Sequence, residues 1–307
     1  MKWLPAEPGI VNPERSQRLT NDYLLPNLAE IETFLLELRE RVDCKLNVAF
    51  PLKYGTPYPL SQCLEISKAM KLAVDNLDDS EFSGPVLVGC QAMQAFRAAG
   101  GEMRRVWGDL RGAYFQNAFQ VGTLYVDVAN DTVITTNPKV EILPFAQSGL
   151  AALKDYAHFA RVAESYWEVK AWPNHVVPEI SAFFPLLSET RDGGFELRDV
   201  GGYMMSLNLN RAFGPAEAYL SQVALPEGVL ERAACDLMPL IAGPPKPASL
   251  GRRESLKTLQ RYRSERIHLD TKAQRRLIDL GLAVNRTFSA AVIERGAPQR
   301  QRSEEAY

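Results

Sequence analysis

The 307-residue sequence is poor in the residues that hold metals and disulfides. It has three histidines, none before residue 158, and four widely spaced cysteines without a C-x-x-C pair. Zinc sites and disulfide frameworks use closely spaced ligands or paired cysteines, so we expect neither. A Walker-type loop, a dinucleotide fingerprint and a serine elbow are also absent. The sequence therefore predicts reduced thiols, no metal and no cofactor.

Long apolar runs are absent as well. No run approaches the roughly 18 residues that a bilayer span needs. The first residues, MKWLPAEPGIVNPERS, carry prolines and acids where a signal peptide has its apolar segment. We therefore expect a cytoplasmic protein without a membrane partner. With 46% apolar and 23% charged residues, the composition is that of a soluble globular chain.

Composition and the positions of proline and glycine divide the sequence into four segments. We predict a helical lead over 1–44, a core over 45–146, an α/β extension over 147–242 and a basic helical region over 250–307 that ends in a disordered tail. A linker, AGPPKPAS, precedes the basic region. That region has a net charge of +6, whereas the whole chain has −2. Its charge suits an acidic surface of the same chain, an acidic partner or nucleic acid.

The segment from Gly84 to Asp131 has the clearest pattern. Its first part has the apolar spacing of a helix, and Gly100-Gly101 marks the end of that helix. Alternation then predicts strands, the last two of which are joined by a glycine-containing hairpin over 121–123. These strands span Met103–Trp107, Tyr114–Phe119 and Leu124–Val128.

Other local patterns are less regular. We predict a helix over 24–42, a short strand over 46–50, an extended segment over 133–145 and a helix that begins near Ser148. A further amphipathic helix begins at Cys63. A helix N-terminus favours an anion and so lowers the pKa of a thiol there. Asp127 lies between two valines in an apolar strand, so its carboxylate needs a partner.

This order of elements resembles the core of the transglutaminase-like superfamily, cysteine acyl-transfer enzymes of the papain-like class. In that family a cysteine at a helix N-terminus is the nucleophile, a histidine on a following strand is its base, and an aspartate on the next strand orients the histidine. The resemblance covers roughly residues 55–131. It implies that Cys63 is the nucleophile, that Asp127 is the orienting acid, and that both face one pocket. It also implies an α+β fold with an antiparallel sheet beside the cysteine-bearing helix. Residue patterns after position 250 fit helices and predict a mostly helical C-terminal region.

The sequence departs from the family where the histidine is expected. Gln116 and Asn117 occupy that stretch, and a neutral amide cannot accept a proton. Either amide is able to hydrogen-bond to Asp127 and support the fold. Three interpretations remain, of which the first is a degenerate site that now binds a ligand. In the second, His158 or His175 reaches the thiol from the later half of the chain.

In the third interpretation, the helix dipole and a cation such as Arg104 or Arg111 lower the thiol pKa enough for slow chemistry. We favour a binding or scaffold protein that takes a protein partner or a peptide-like ligand. The first alternative is an acyl transferase or amide hydrolase that uses Cys63. The second is a nucleotide-sugar glycosyltransferase in which Asp127 and Asp131 hold a metal and a diphosphate.

Overall fold

A computed structural model describes residues 3–198, 201–222, 225–238, 240 and 247–295. The chain forms two compact units. The N-terminal unit comprises residues 6–152, and the C-terminal unit comprises the described residues from 153 onward together with residues 3–5. Both units combine helices with antiparallel sheets, so the predicted α+β class is confirmed. No helix among the described residues is long and apolar enough to cross a membrane.

Four α-helices build one side of the N-terminal unit, and their apolar residues recur at helical spacing. Ile31, Leu35 and Leu38 of the second helix are all buried, as their spacing predicts. A π-helical segment over Thr20–Leu24 and a 3-10 turn over Leu25–Asn27 join the first two helices. A further 3-10 turn spans Asp79–Glu81. The α-helices are α1 (Pro13–Leu19), α2 (Leu28–Ala49), α3 (Cys63–Asp75) and α4 (Gly84–Ala98).

A five-stranded antiparallel sheet forms the other side of this unit. Its strands are β3 (Met103–Leu110), β4 (Tyr114–Val121), β5 (Leu124–Asp127), β6 (Glu141–Pro144) and β7 (Leu150–Ala151). They lie in the order β6-β5-β4-β3-β7, and the 3-10 turn Phe145–Gln147 follows β6. The predicted hairpin between β4 and β5 is confirmed. Gly122 takes a φ of 58° in its turn, where a Cβ would meet the Thr20 hydroxyl at 2.2 Å.

The two faces of this sheet bury different cores. Phe119 pairs with Val126, and both belong to the large core that α2, α3 and α4 also line. Tyr125 belongs to a smaller core with Phe145, on the opposite face. We call these the helix-covered face and the second face. Because successive residues of a strand alternate between faces, a shift of one residue changes the surroundings of a side chain completely.

The predicted strand over 46–50 is wrong, because α2 continues through this stretch to Ala49. Pro51 disfavours helical geometry at Phe50, and the helix stops there. The predicted segment boundary at residues 44/45 therefore falls inside a helix. A short hairpin of β1 (Leu52–Lys53) and β2 (Thr56–Pro57) follows and leads toward α3.

Two further predictions need correction. Of the extended segment over 133–145, only β6 is a strand, and turns occupy much of the preceding stretch. Ser148 does not cap a helix, since its hydroxyl donates to the Phe145 carbonyl at 2.8 Å. The next helix, α5 (Tyr156–Trp167), begins after Asp155, whose carboxylate accepts the His158 N–H at 2.7 Å. Asp155 therefore takes the capping role that the sequence suggested for a serine.

The C-terminal unit contains a three-stranded antiparallel sheet and several helices. The strands lie in the order β10-β9-β8 and are β8 (Lys170–Pro173), β9 (Leu186–Glu189) and β10 (Phe195–Arg198). The helices after α5 are α6 (Gly201–Asn210), α7 (Gly214–Leu220), α8 (Glu227–Asp236), α9 (Ala248–Ser264) and α10 (Thr271–Glu294). A 3-10 turn, Ile267–Leu269, separates α9 from α10.

The described part of the basic region, residues 250–295, belongs to this unit. Asn285 of α10 makes two hydrogen bonds with the backbone of Leu197, at 2.7 and 2.8 Å. The rings of Phe195 and Phe288 lie 5.9 Å apart in the same contact between α10 and β10. Most of the predicted linker and the predicted disordered tail lie outside the described residues.

A buried arginine joins α2 to the turn that follows β5. Arg39 donates to Asp43 at 2.5 Å, to the Val128 carbonyl at 2.6 Å and to Asp131 at 2.9 Å. Burial lowers the pKa of Arg39, but the hydrogen bonds and charges of the two carboxylates outweigh it, so the pKa is raised overall. The guanidinium therefore remains charged and ties the end of β5 to the helices.

We expect Arg39→Met to lower the free energy of unfolding by about 3–5 kcal/mol, because Asp131 loses its counter-charge inside the protein. Urea denaturation measures this change. The matched control is Arg41→Met, which removes half-exposed ion pairs with Glu37 and Glu81 and should cost only about 0–1 kcal/mol. Equal losses in the two variants would contradict a central role for the buried ion pair.

Candidate functional site

Cys63 is the first residue of α3 and is partly exposed. The preceding residue, Gln62, does not cap the helix, because its side-chain amide donates to the Phe50 carbonyl at 2.8 Å. The first-turn N–H groups of Cys63, Leu64 and Glu65 have no acceptor among the described residues. The predicted position of the cysteine at a helix N-terminus is therefore confirmed.

Asn117 is the residue that meets the thiol. Its side-chain Nδ2 lies 3.5 Å from the Cys63 Sγ and donates to it. Asn117 lies on β4, within the stretch where the resemblance to transglutaminase-like enzymes places a histidine. An amide in this position donates a hydrogen bond but does not take the thiol proton. The contact holds the sulfur without activating it as a general base would.

Asp127 lies on the second face of the sheet, although its charge still acts on the Cys63 thiol. The pairing of Phe119 with Val126 puts Asn117 on the helix-covered face, and Asp127 follows Val126 directly. The Asp127 carboxylate accepts hydrogen bonds from Gln116 Nε2 at 2.7 Å, from the Tyr125 hydroxyl at 2.9 Å and from the Ala129 N–H at 2.8 Å.

Of the two amides that we expected near Asp127, Gln116 makes the hydrogen bond and Asn117 does not. Gln116 also donates to the Ala129 carbonyl at 3.0 Å. The structure thus divides the predicted site residues into two pairs, one of Cys63 with Asn117 and one of Asp127 with Gln116. Gln116 and Asp127 contact each other at the end of β5, on the second face. Cys63 and Asn117 contact each other on the helix-covered face.

Burial controls the protonation of both pairs. Burial raises the pKa of the Cys63 thiol, against smaller effects of the Asn117 hydrogen bonds and the positive charge of Lys53, and the negative charge of Asp127 raises it further. Burial also raises the pKa of Asp127 to about 6, although three hydrogen bonds oppose it. The helix N-terminus alone predicted a lowered thiol pKa, and this prediction neglected the loss of water around the sulfur.

The two arginines proposed to activate the thiol, Arg104 and Arg111, bind other groups. Arg104 donates to Gln120 at 2.9 Å and to the Gly9 carbonyl at 2.7 Å. Arg111 pairs with Glu141 at 2.7 Å. Instead, Arg105 of β3 interacts electrostatically with Cys63. Strand alternation was the sequence signal for this difference, since Arg104 and Arg105 point to opposite faces.

Lys53 of β1 is a second cation near Cys63 that the sequence analysis missed. Its side chain is only 9% exposed, and its ammonium pairs with Glu65 Oε1 at 2.7 Å. No periodic pattern marks Lys53, because the hairpin that carries it is formed by only four strand residues. Its approach to the thiol depends on the tertiary structure.

The two histidines considered as bases are engaged within the C-terminal unit. The Nε2 of His175 lies 2.9 Å from the Leu220 carbonyl, and its Nδ1 accepts the Leu225 N–H at 3.4 Å. Burial lowers the pKa of His175, which is consistent with a neutral ring bound on both nitrogens. The Nδ1 of His158 accepts the Lys154 N–H at 3.4 Å.

Both acids of the glycosyltransferase alternative, Asp127 and Asp131, also have partners within the protein. Asp131 pairs with the buried Arg39, and Asp127 binds three donors of its own unit. Among the described residues, no group of three histidine, cysteine or acidic side chains is arranged to hold a metal ion. These contacts leave neither carboxylate directed at a diphosphate-bound metal.

Comparison with known protein families, curated proteins and solved structures yields no match. The geometry of the site is the basis for its interpretation. The partly exposed Cys63 accepts a hydrogen bond from an amide at the start of α3, and the charges of Lys53, Arg105 and Asp127 interact with it. Such a site is suited to holding a ligand, whereas a nucleophile requires a proton acceptor.

We expect the contribution of Asp127 to the stability of the protein to fall as the pH rises from about 4 through 6. The pKa of Asp127 is raised from 3.8 to about 6 in the folded chain, so the folded state binds more protons than the unfolded state in this range. Asp127→Asn does not titrate. Urea denaturation at several pH values should show the stability of Asp127→Asn relative to wild type increasing up to about pH 6 and then levelling off. A difference independent of pH would refute the raised pKa.

Proposed function

We propose that the N-terminal unit is a binding or scaffold module, similar to a transglutaminase-like core that has lost its catalytic base. The observation that supports this most directly is the 3.5 Å contact between Asn117 Nδ2 and Cys63 Sγ. A transglutaminase-like enzyme needs an imidazole at this contact to take the thiol proton. The amide offers a hydrogen bond instead, and the sulfur stays protonated at neutral pH.

The hydrogen-bond partners of Asp127 support the same proposal. An orienting acid acts through the imidazole that it binds. Here Asp127 binds Gln116, whereas the thiol binds Asn117, so each amide serves a different neighbour.

The competing function is a cysteine-dependent acyl transferase or amide hydrolase that uses Cys63. It requires a proton acceptor within hydrogen-bond reach of the sulfur, directly or through water. The sequence has no histidine before residue 158, so the N-terminal unit supplies none. Lys53 is paired with Glu65, and the pKa of Lys53 is raised, so it remains a cation rather than a base.

An exposed apolar surface supports a protein or peptide-like partner. Val48, Phe50, Leu52 and Tyr54 are 82%, 49%, 58% and 38% exposed, at alternate positions from the end of α2 into the β1–β2 hairpin. This surface adjoins Cys63, because the Gln62 side chain binds the Phe50 carbonyl just before α3. Large apolar side chains grouped at a protein surface are typical of interaction sites.

The pH dependence of thiol alkylation tests this proposal. We expect Cys63 to react with iodoacetamide with an apparent pKa above the free-thiol value of about 8.5, because burial disfavours the thiolate. Cys44 and Cys235 are exposed and serve as internal references, with each site resolved by mass spectrometry. Asn117→His should lower the apparent pKa of Cys63, because an imidazolium in contact with sulfur stabilises the thiolate. A wild-type value well below 8.5 would favour the enzyme instead.

A second candidate function is nucleic-acid binding by the C-terminal unit. Arg253, Lys257 and Arg261 are exposed on one row of α9, at spacings of four residues. This row presents three positive charges over about 12 Å of helix. A nucleic-acid strand carries one negative charge per about 3.4 Å, so such a row suits its backbone. The positive net charge of region 250–307 favours the same partner.

A salt titration of binding to duplex DNA tests this second function. We expect the triple variant Arg253→Gln, Lys257→Gln and Arg261→Gln to reduce the slope of log affinity against log salt by about 2–3, because each lost phosphate contact removes about 0.9. A matched control removes three exposed cations of the N-terminal unit instead, namely Arg18, Lys45 and Lys68. A similar loss of slope in both variants would show that only overall charge matters.

A further inference from the structure

Strand β10 lies at one edge of the C-terminal sheet, since β9 is its one neighbouring strand among the described residues. In the turn between these antiparallel strands, the Thr190 N–H donates to the Gly194 carbonyl at 2.9 Å. In an antiparallel pair, residues bonded in this way alternate with residues whose N–H and C=O groups point away from the partner strand. Counting from Gly194, the backbone groups of Phe195 and Leu197 point to the outer edge of β10.

Asn285 of α10 occupies this outer edge at Leu197. Its Oδ1 accepts the Leu197 N–H at 2.7 Å, and its Nδ2 donates to the Leu197 carbonyl at 2.8 Å. A side-chain amide carries the donor and the acceptor that a peptide group carries. Asn285 therefore makes with Leu197 the two hydrogen bonds that one residue of an adjacent antiparallel strand would make.

Two further contacts show that α10 follows β10 along its length. The ring of Phe288 lies 5.9 Å from that of Phe195, and a Cβ on Gly194 would meet the Val292 side chain at 2.5 Å. From Asn285 to Val292 the helix advances about 10 Å, which is the length of three strand residues. An added strand would lie about 4.8 Å from β10, so it would compete with α10 for the same space.

The charges of β10 make its outer edge complementary to a second copy of itself. Within the strand, Glu196 and Arg198 form an ion pair at 3.2 Å. In an antiparallel pair of two β10 strands related by a two-fold axis at Leu197, Glu196 of each copy lies opposite Arg198 of the other. Opposite charges at facing positions stabilise such a pair. The two Leu197 residues would exchange the hydrogen bonds that each now makes with Asn285.

We propose that the outer edge of β10 is a strand-pairing surface for a second copy of the chain, and that Asn285 blocks it. Proteins protect sheet edges by covering them, because unpaired backbone groups are a template for another strand. Here the cover imitates a strand through a single side chain. The inference concerns self-association of the C-terminal unit and is independent of the function proposed for the Cys63 site.

Sedimentation equilibrium of the full chain tests the proposal. Asn285→Leu removes both hydrogen bonds to Leu197 and should lower the apparent dimer dissociation constant about tenfold or more relative to wild type. The matched control is Asn208→Leu in α6. Asn208 is buried and also binds two backbone groups, the Ala182 carbonyl at 2.7 Å and the Ala216 N–H at 3.1 Å, but away from a sheet edge. This control should not increase self-association.

A charge exchange tests whether β10 is the contact. In the Asn285→Leu background, Glu196→Arg alone and Arg198→Glu alone each place like charges opposite each other in the two-fold pair, so each should reduce self-association. A mixture of these two chains restores opposite charges at both positions. We therefore expect the mixture to form a heterodimer more tightly than either chain pairs with itself.

Three results would overturn the proposal. Asn285→Leu could associate no more than wild type, Asn208→Leu could associate as strongly as Asn285→Leu, or the charge variants could pair without regard to sign. Asn285→Ala is the smaller substitution and replaces Asn285→Leu if the leucine form does not fold. Hydrogen exchange at the Leu197 amide provides a second readout, since exchange should be faster in the monomeric variant than in wild type and slow again in its dimer.

Discussion

A β-strand directs successive side chains to opposite faces of its sheet, and along β4 this two-residue period decides what the Cys63 thiol meets. Asn117 points to the helices and contacts the sulfur, whereas Gln116 points to the second face and binds Asp127. Backbone pairing with β3 and β5 fixes this choice, because moving one side chain to the other face would require a shift of the whole register. The chemistry of the site therefore follows from the sheet.

The two faces of the same sheet give Asp127 and the thiol different hydrogen-bond partners. On the second face, Asp127 accepts from three donors of its own unit, which stabilise the end of β5. On the helix-covered face, Asn117 donates to the Cys63 thiol, whose pKa burial raises. The charge of Asp127 acts on the thiol across this arrangement and raises its pKa further.

In our proposal, this cysteine-bearing core is a binding module. A thiol at a helix N-terminus is a reactive arrangement only when a base or a stable thiolate accompanies it. Asn117 provides neither, yet it preserves the contact between strand and helix.

The sequence by itself determined the class of fold, the helix that begins at Cys63, and the three strands that follow Gly100-Gly101, because helical and alternating periodicities are local properties. Local patterns failed where a neighbour decided the outcome. Helix α2 passed through a predicted strand as far as the residue before Phe50, where Pro51 ended it. Only the tertiary structure determined that Arg105 rather than Arg104 acts on the thiol and that Gln116 rather than Asn117 binds Asp127, because strand register and helix packing determine which face is covered. Burial then raised the pKa of a thiol that the helix dipole alone would have lowered.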